Sequence, residues 1–312
     1  MFQSFLILGF PLPGHPVFEV PTLRIRDLYD RPVPTISFEF FPPKNDAAEA
    51  ALFADTVPGL KALNPAFISV TYGAGGSTRG TTTRIVQRIR EQHGIESMPH
   101  LTCVGSTQAM LGDFLDEILK LGFENVLALR GDPPKDQATF QAVEGGFSYA
   151  TDLIRFIRGR APIGIGAACY PEGHVETRFK HQDWDIAAQK VEAGAEFLIT
   201  QLFYDWSDFL DMEDYLRNKK NVKVPIVPGI LPFLNAAQIK RFTSLCGSKL
   251  PTPIKTKIEQ FAHDDESVRQ LGVEVCTEIC AKLMNRVAGF HFYCLNRVTS
   301  SAEVMRNLGL AT

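Results

Sequence analysis

The chain has 312 residues, of which 45% are hydrophobic and 21% charged, and a formal net charge of −3. That balance suits a globular protein with a large buried core, and evenly spread basic residues point away from nucleic acid or an anionic membrane as partners. No apolar run nears the roughly 20 residues that span a bilayer. The first 34 residues read as an N-terminal extension. Its opening, MFQSFLILGFPLPGHP, is apolar like an export signal, but no Lys or Arg precedes Arg24, no small-residue cleavage pattern follows and prolines interrupt it. The expectation is a segment packed on the following domain or partly disordered, in a cytoplasmic protein.

From Thr35 the chain alternates short β-rich runs with longer amphipathic ones. The predicted strands are TISFEFF (35–41), AFISVTY (66–72), MPHLTCV (98–104), NVLALRG (125–131), IGIGAACY (163–170), EFLITQLFY (196–204), VPIVPGI (224–230) and FHFYCL (290–295). Helical runs such as TTTRIVQRIREQHG, TQAMLGDFLDEILKLG and DWDIAAQKVEAG lie between them and end in glycine, a common helix stop. Parallel strands need crossover helices, so this alternation predicts an α/β protein. Eight repeats favour a closed (β/α)₈ TIM barrel over an open sheet. Extra helical sequence at 250–287 precedes the last strand and reads as an insertion, because no linker or composition shift marks a second domain. Residues 35–312 are therefore expected to form one barrel.

The six cysteines, at 103, 169, 246, 276, 280 and 294, form no CxxC pair, so no metal site is expected. Cys276 and Cys280 share one helix face, where free thiols behave as small buried hydrophobes. Reduced thiols fit a cytoplasmic protein.

Strands buried on both faces usually read as continuous apolar runs. Here polar exceptions follow the two-residue period of a strand. Thr35, Ser37 and Glu39 point one way while Ile36, Phe38 and Phe40 point the other; Ser69 and Thr71, then His100 and Thr102, repeat the pattern. Arg130 with Asp132, Tyr170, Gln201, and Tyr293 with Arg297 end later strands. If the apolar set faces the helices, the polar set lines the barrel axis and crowds its C-terminal mouth, where barrel enzymes place their sites. Each residue alone has a plainer explanation: a helix cap, a satisfied core histidine, a surface charge. Seven strands ending alike argue for a site. Glu39 is the sharpest case, set among three phenylalanines and followed by two prolines in SFEFFPP. Burial among apolar groups disfavours a carboxylate and suits a general acid, whereas an Arg or Lys across the barrel would do the opposite.

The segments SFEFFPPK (37–44), SVTYGAGGST (69–78), PHLTC (99–103), ALRGDPP (128–134), AACYPEGH (167–174), ITQLFYD (199–205), PGILP (228–232) and FHFYCLNR (290–297) together resemble the methylenetetrahydrofolate reductase family, in its short bacterial form without a regulatory domain. The resemblance implies an FAD-binding barrel that reduces 5,10-methylenetetrahydrofolate to 5-methyltetrahydrofolate with NAD(P)H, by ping-pong hydride transfer through the flavin, in the one-carbon metabolism that feeds methionine synthesis. It implies that Glu39 protonates N10 of the folate and that Asp132 is the carboxylate near flavin and pterin. It places Thr71, Tyr72, Ala74, His100, Leu129, Arg130, Gly131, Asp132, Tyr149, Ala150, Tyr170, His174, Asp183 and Lys190 around FAD. It places Gln201, Gln238, Phe242, Tyr293 and Arg297 around folate or nicotinamide.

Asp183 and Lys190, seven apart, share a helix face; the plainer alternative makes Asp183 an N-cap and Lys190 a solvated charge. The family carries more polar or basic residues at Ile186 and Gln189, and both stay outside the set. GAGGST is neither a P-loop nor a dinucleotide fingerprint. A homo-oligomer is expected. A different flavin barrel of the proline dehydrogenase kind and a barrel that has lost catalysis are the alternatives. A Schiff-base aldolase would need a strand-end lysine, and none is convincingly placed.

Overall fold

The computed structural model describes residues 23–72, 79–134, 137 and 139–311. Among the described residues, nine strands, all parallel, form one sheet: β1 Thr35–Phe40, β2 Phe67–Val70, β3 Ser97–Thr102, β4 Asn125–Leu129, β5 Gly164–Cys169, β6 Phe197–Thr200, β7 Ile226–Val227, β8 Gly229–Ile230 and β9 Gly289–Tyr293. They pair in the order β7-β6-β5-β4-β3-β2-β1-β9-β8. The count of nine, against eight predicted, has a local cause. Pro228 has no N–H to donate and splits the seventh predicted strand in two. Its first half pairs with β6 through Leu198↔Ile226, and its second half pairs with β9 through Gly229↔His291. One interrupted strand thus joins both ends of the sheet and closes the barrel. The Pro228 carbonyl still accepts from the His291 N–H at 2.9 Å, and the Gly229 N–H turns aside to the Thr200 hydroxyl at 2.8 Å.

Helices α1 Ile25–Leu28, α2 Asp46–Ala51, α3 Val57–Lys61, α4 Arg79–His93, α5 Gln108–Lys120, α6 Ala150–Arg160, α7 Lys180–Glu192, α8 Trp206–Asn218, α9 Ala236–Cys246, α10 Thr252–Gln260, α11 Asp265–Leu283 and α12 Thr299–Asn307 connect the strands. The predicted extra helical sequence before the last strand forms α10 and α11, and Cys276 and Cys280 are buried on one face of α11. Local chemistry sets the helix starts. The Thr107 hydroxyl accepts from Met110 N–H to begin α5, and Asp205 accepts from Ser207 N–H to begin α8, each satisfying an amide that lacks an intrahelical partner.

The strands stop sooner than the β-rich runs suggest. Thr71, Arg130, Tyr170 and Gln201 each lie one residue past a strand end. Single ladder bonds nevertheless run on, from Thr71 N–H to the Phe40 carbonyl at 2.9 Å and from Gln201 N–H to the Cys169 carbonyl at 2.8 Å.

The two-residue alternation sorts the core into two bodies. Ile36, Phe38, Phe40, Ile68, Val70, Ile165, Ala167, Phe290 and Phe292 pack with helix side chains in the outer layer. Phe67, Met98, Leu127, Phe197, Ile199 and Val227 form a separate inner cluster with Ile25, Leu28 and Tyr29. Polar axial residues crowd toward the C-terminal ends of the strands. Toward the N-terminal ends this apolar cluster fills the axis, with α1 as its stopper held by two polar side chains. Asn125 holds that stopper by accepting from Ile25 N–H at 3.0 Å and donating to the Leu23 carbonyl at 2.7 Å. Gly164 leaves the room, since a Cβ there would collide with the Asn125 amide oxygen. The Thr35 hydroxyl donates to the Leu28 carbonyl at 2.6 Å, and Tyr29 packs against the Phe197 ring at 5.8 Å.

Leu28 is 3% exposed, so Leu28→Ala should cost about 2–5 kcal/mol by lost transfer free energy plus the residual cavity. Urea unfolding measures this, and a loss below about 1 kcal/mol would show that α1 is not part of the core.

Candidate active site

Glu39 lies near the end of β1, 8% exposed, between two imidazoles. His100 Nε2 from β3 and His291 Nε2 from β9 each lie 3.6 Å from Glu39 Oε2. Among the described residues these two are the only basic side chains within ion-pair distance of it, so the Arg or Lys across the barrel allowed by the sequence is not found. Burial pushes His100 down to about 4, against the opposing pull of Glu39, so His100 is neutral at physiological pH. Its Nε2 has no hydrogen-bond partner, so His100 is not a satisfied core histidine. The Thr102 hydroxyl, two residues nearer the C-terminal end of β3, is likewise buried without a partner.

His291 was not singled out by the sequence pattern. It is fully buried, its Nδ1 lies 2.7 Å from the Ser37 hydroxyl, and the Ser69 hydroxyl lies 3.5 Å from Nε2. The missed signal was parity: His291 is two residues before Tyr293, hence on the same face of β9. The Tyr293 hydroxyl donates to the Thr200 carbonyl at 2.6 Å.

A second group surrounds the ends of β4 and β5. Arg130 makes a two-pronged ion pair with Glu176, at 2.6 and 2.8 Å, and its guanidinium lies over the Phe140 ring. The hydrogen bonds to Glu176 raise the Arg130 pKa, and Arg130 in turn holds Glu176 below the usual carboxylate range. Glu176 is on a loop, where no periodicity could mark it. Gly131 sits at φ +85°, and a Cβ there would meet Val104 at 2.5 Å, so both turn and packing require glycine. Asp132 is exposed at the mouth, Leu129 is half-buried at the end of β4, and Tyr149 is 64% exposed just before the buried Ala150. Tyr170 meets His174 edge-on at 4.9 Å, and burial lowers the His174 pKa.

Asp183 and Lys190 fit neither plain reading. Phe179, not Asp183, is the N-cap of α7, and both residues are buried. Burial raises Asp183 to about 6, partly offset by Lys190, and its Oδ2 has no partner. Burial lowers Lys190, whose ammonium donates to the Ala168 carbonyl at 2.7 Å. Burial outweighs the mutual attraction of the two.

The remaining predicted residues lie after β6 or in and around α9 and β9. The Gln201 and Gln238 amide oxygens accept from the Leu202 and Leu234 N–H groups, both at 2.8 Å. Phe242 is half-buried at the rim of the outer core, and Arg297 is exposed. Thr71 and Tyr72 are half-buried past β2; Tyr72 packs on Phe114 at 5.3 Å. Ala74 lies outside the described residues.

A parallel barrel with a buried carboxylate, two imidazoles and orphaned polar atoms gathered at the C-terminal ends of its strands has the site architecture of barrel enzymes. The family model for methylenetetrahydrofolate reductase matches residues 24–309, and the chain belongs to that family. It is 34% identical over 279 residues to 5,10-methylenetetrahydrofolate reductase of Pectobacterium carotovorum, covering 88% of this chain and 90% of that protein. It is 35% identical over 309 residues to methylenetetrahydrofolate reductase 2 of Schizosaccharomyces pombe, covering 93% of this chain and 48% of that protein. The chain thus spans about half the length of several curated relatives it matches, and most of the length of the bacterial one. A solved structure from Clostridium thermocellum, described as binding two copies of 5-methyl-5,6,7,8-tetrahydrofolic acid, shares the fold, with TM-score 0.60, 14% identity, and coverage of 91% of this chain and 96% of that one.

Because burial favours neutral His100, its stabilising effect is present above pH 6.5 and lost as pH falls through about 4. The wild type should lose roughly 3 kcal/mol of stability across that window from this group. His100→Gln should flatten that part of the stability–pH curve in urea titrations, and an unchanged slope would contradict the assignment.

Proposed function

We propose that the protein reduces 5,10-methylenetetrahydrofolate to 5-methyltetrahydrofolate with FAD as cofactor and NAD(P)H as donor, Glu39 acting as general acid. The observation that carries this reading is the setting of Glu39: buried at the mouth of a barrel of this family, with no Arg or Lys in ion-pair range among the described residues and a neutral His100 beside it.

The residues present fit FAD. Asp183 Oδ2, His100 Nε2 and the Thr102 hydroxyl are buried polar atoms without partners, a costly state that a polar ligand would relieve. Thr71, Tyr72, Ala74, His100, Leu129, Arg130, Gly131, Asp132, Tyr149, Ala150, Tyr170, His174, Asp183 and Lys190 would hold it, with Asp183 accepting from a ribose hydroxyl and Lys190 and Arg130 offering positive charge. Bound FAD would supply the hydride relay between nicotinamide and folate.

Gln201, Gln238, Phe242, Tyr293 and Arg297 would seat the folate or the nicotinamide in turn. Glu39 gives its proton to N10; the bond between the bridging methylene and N10 breaks with its electron pair passing to N10, and the N5 lone pair forms the iminium that accepts hydride. Asp132 would stabilise that cation by its charge. The folate bound by the Clostridium thermocellum relative supports a folate-sized site in this fold. The free cysteines suit a cytoplasmic protein.

Purified protein should be yellow and take up FAD; a colourless protein that binds none would overturn the flavin part of the reading. Glu39→Gln should leave reduction of the flavin by NAD(P)H largely intact and cut folate-dependent reoxidation by at least about 100-fold, as loss of a general acid does. Equal loss of both half-reactions would remove Glu39 from the acid role. Anaerobic reduction with NADH and NADPH in parallel identifies the donor.

A further inference from the structure

Strand β9 ends at Tyr293, and the chain leaves it by a sharp turn over residues 294–297. The Arg297 N–H donates to the Cys294 carbonyl at 2.9 Å, and both central residues are left-handed, Leu295 at φ +52° and Asn296 at φ +58°. A turn of this hand suits asparagine. Leucine seldom adopts it, because its Cβ crowds the backbone. Such a conformation persists only where the surroundings hold it.

The hold is the Asn296 side chain. Its Oδ1 accepts from the Phe41 N–H at 2.9 Å, and its Nδ2 donates to the Phe41 carbonyl at 2.8 Å. A backbone N–H can only donate and a carbonyl only accept, so the orientation of this amide is fixed. Strands β1 and β9 pair with Glu39 opposite Tyr293, and Phe41 is the first residue past β1. The amide therefore adds one more rung to that ladder after the β9 backbone has turned away. The Thr56 hydroxyl donates to the Asn296 carbonyl, and the Cys294 thiol to the Glu39 carbonyl, both at 3.2 Å.

The same turn lines a cavity of about 230 Å³, where Leu295 and Arg297 stand with Tyr293, Pro232 and Leu234. Among the described residues Arg297 has no ion-pair partner, so the turn, rather than a carboxylate, sets where its guanidinium begins.

We propose that Asn296 is a positioning residue for the substrate: its amide locks the 294–297 turn to Phe41 and so presents Arg297 to the cavity from a fixed place. This rests on the proposed seating of folate by Tyr293 and Arg297, and adds the group that arranges that seat in advance. Asn296 uses both halves of its amide on Phe41 and touches no substrate. An anchor ordered during folding need not be ordered on binding, so the clamp contributes to affinity without a contact of its own. Phe41 lies two residues past Glu39, so the clamp also keeps the seat in register with the acid.

Asn296→Gly removes the amide yet accepts the left-handed backbone, so the turn loses its clamp without added strain. In the FAD-loaded protein it should raise the KM for 5,10-methylenetetrahydrofolate about tenfold, with kcat little changed. In an Arg297→Ala background the same substitution should change that KM less than about twofold, because the anchor it positions is gone. Asn296→Asp keeps an acceptor for the Phe41 N–H and should recover part of the affinity.

An unchanged KM in Asn296→Gly, or an undiminished rise in the Arg297→Ala background, overturns the proposal. Should the variants fail to fold, amide hydrogen exchange on the wild type decides. The Phe41 N–H should be protected although Phe41 is 40% exposed, and exchange at the rate of a free amide overturns the clamp. Failure of Arg297→Ala to raise the folate KM would instead overturn the seating of folate by Arg297, so the two failures are distinguishable.

Discussion

The structure depends on one geometric constraint: in a closed parallel sheet, each strand residue points either at the helices or at the axis, and its neighbour points the other way. Helices cover the outside, so Phe38, Phe40, Phe290 and Phe292 are spent on holding them. The inside has no helix to satisfy along most of its length and is free to be divided, apolar at one end and polar at the other. Ser37, Glu39, Ser69, His100, Thr102, His291 and Tyr293 belong to the polar end. Their side chains converge because the ladder register sets them side by side, with Glu39 opposite Ser69 on one flank and opposite Tyr293 on the other.

That constraint explains why so much was legible. Alternating β-rich and amphipathic runs define a barrel, and the polar phase of Thr35-Ser37-Glu39 is enough to aim Glu39 at the axis. Period says nothing about the lower axis, since Phe67, Met98, Leu127 and Phe197 are apolar on both counts and look like any core residue. The role of α1 was also hidden: four helical residues after an apolar, proline-broken stretch carry no amphipathic signature, and only the Asn125 amide and the packing of Tyr29 on Phe197 reveal why Ile25, Leu28 and Tyr29 belong there. Residues 224–230 read as one strand, and that Pro228 divides it between two neighbours is a property of closure, not of local sequence.

At the site, residues carried over from the family resemblance fare unevenly as geometry. Glu39, His100, Asp183 and Lys190 are buried and Tyr293 half-buried, with specific partners or pointedly without them. Asp132, Tyr149 and Arg297 are exposed, so nothing in the protein alone fixes their purpose. Glu176 shows the opposite case: its ion pair with Arg130 is plain in three dimensions and invisible in one. Loop residues escape periodicity, and only distance reveals them.

The stopper at the bottom of the barrel has a consequence for access. Ile25, Leu28 and Tyr29 fill the lower axis together with Phe67, Met98, Leu127 and Phe197, leaving a vessel sealed at its base by apolar side chains. The rim at the C-terminal ends of the strands is therefore the side left open for a ligand to approach Glu39, and a ligand seated there would lie over the carboxyl group.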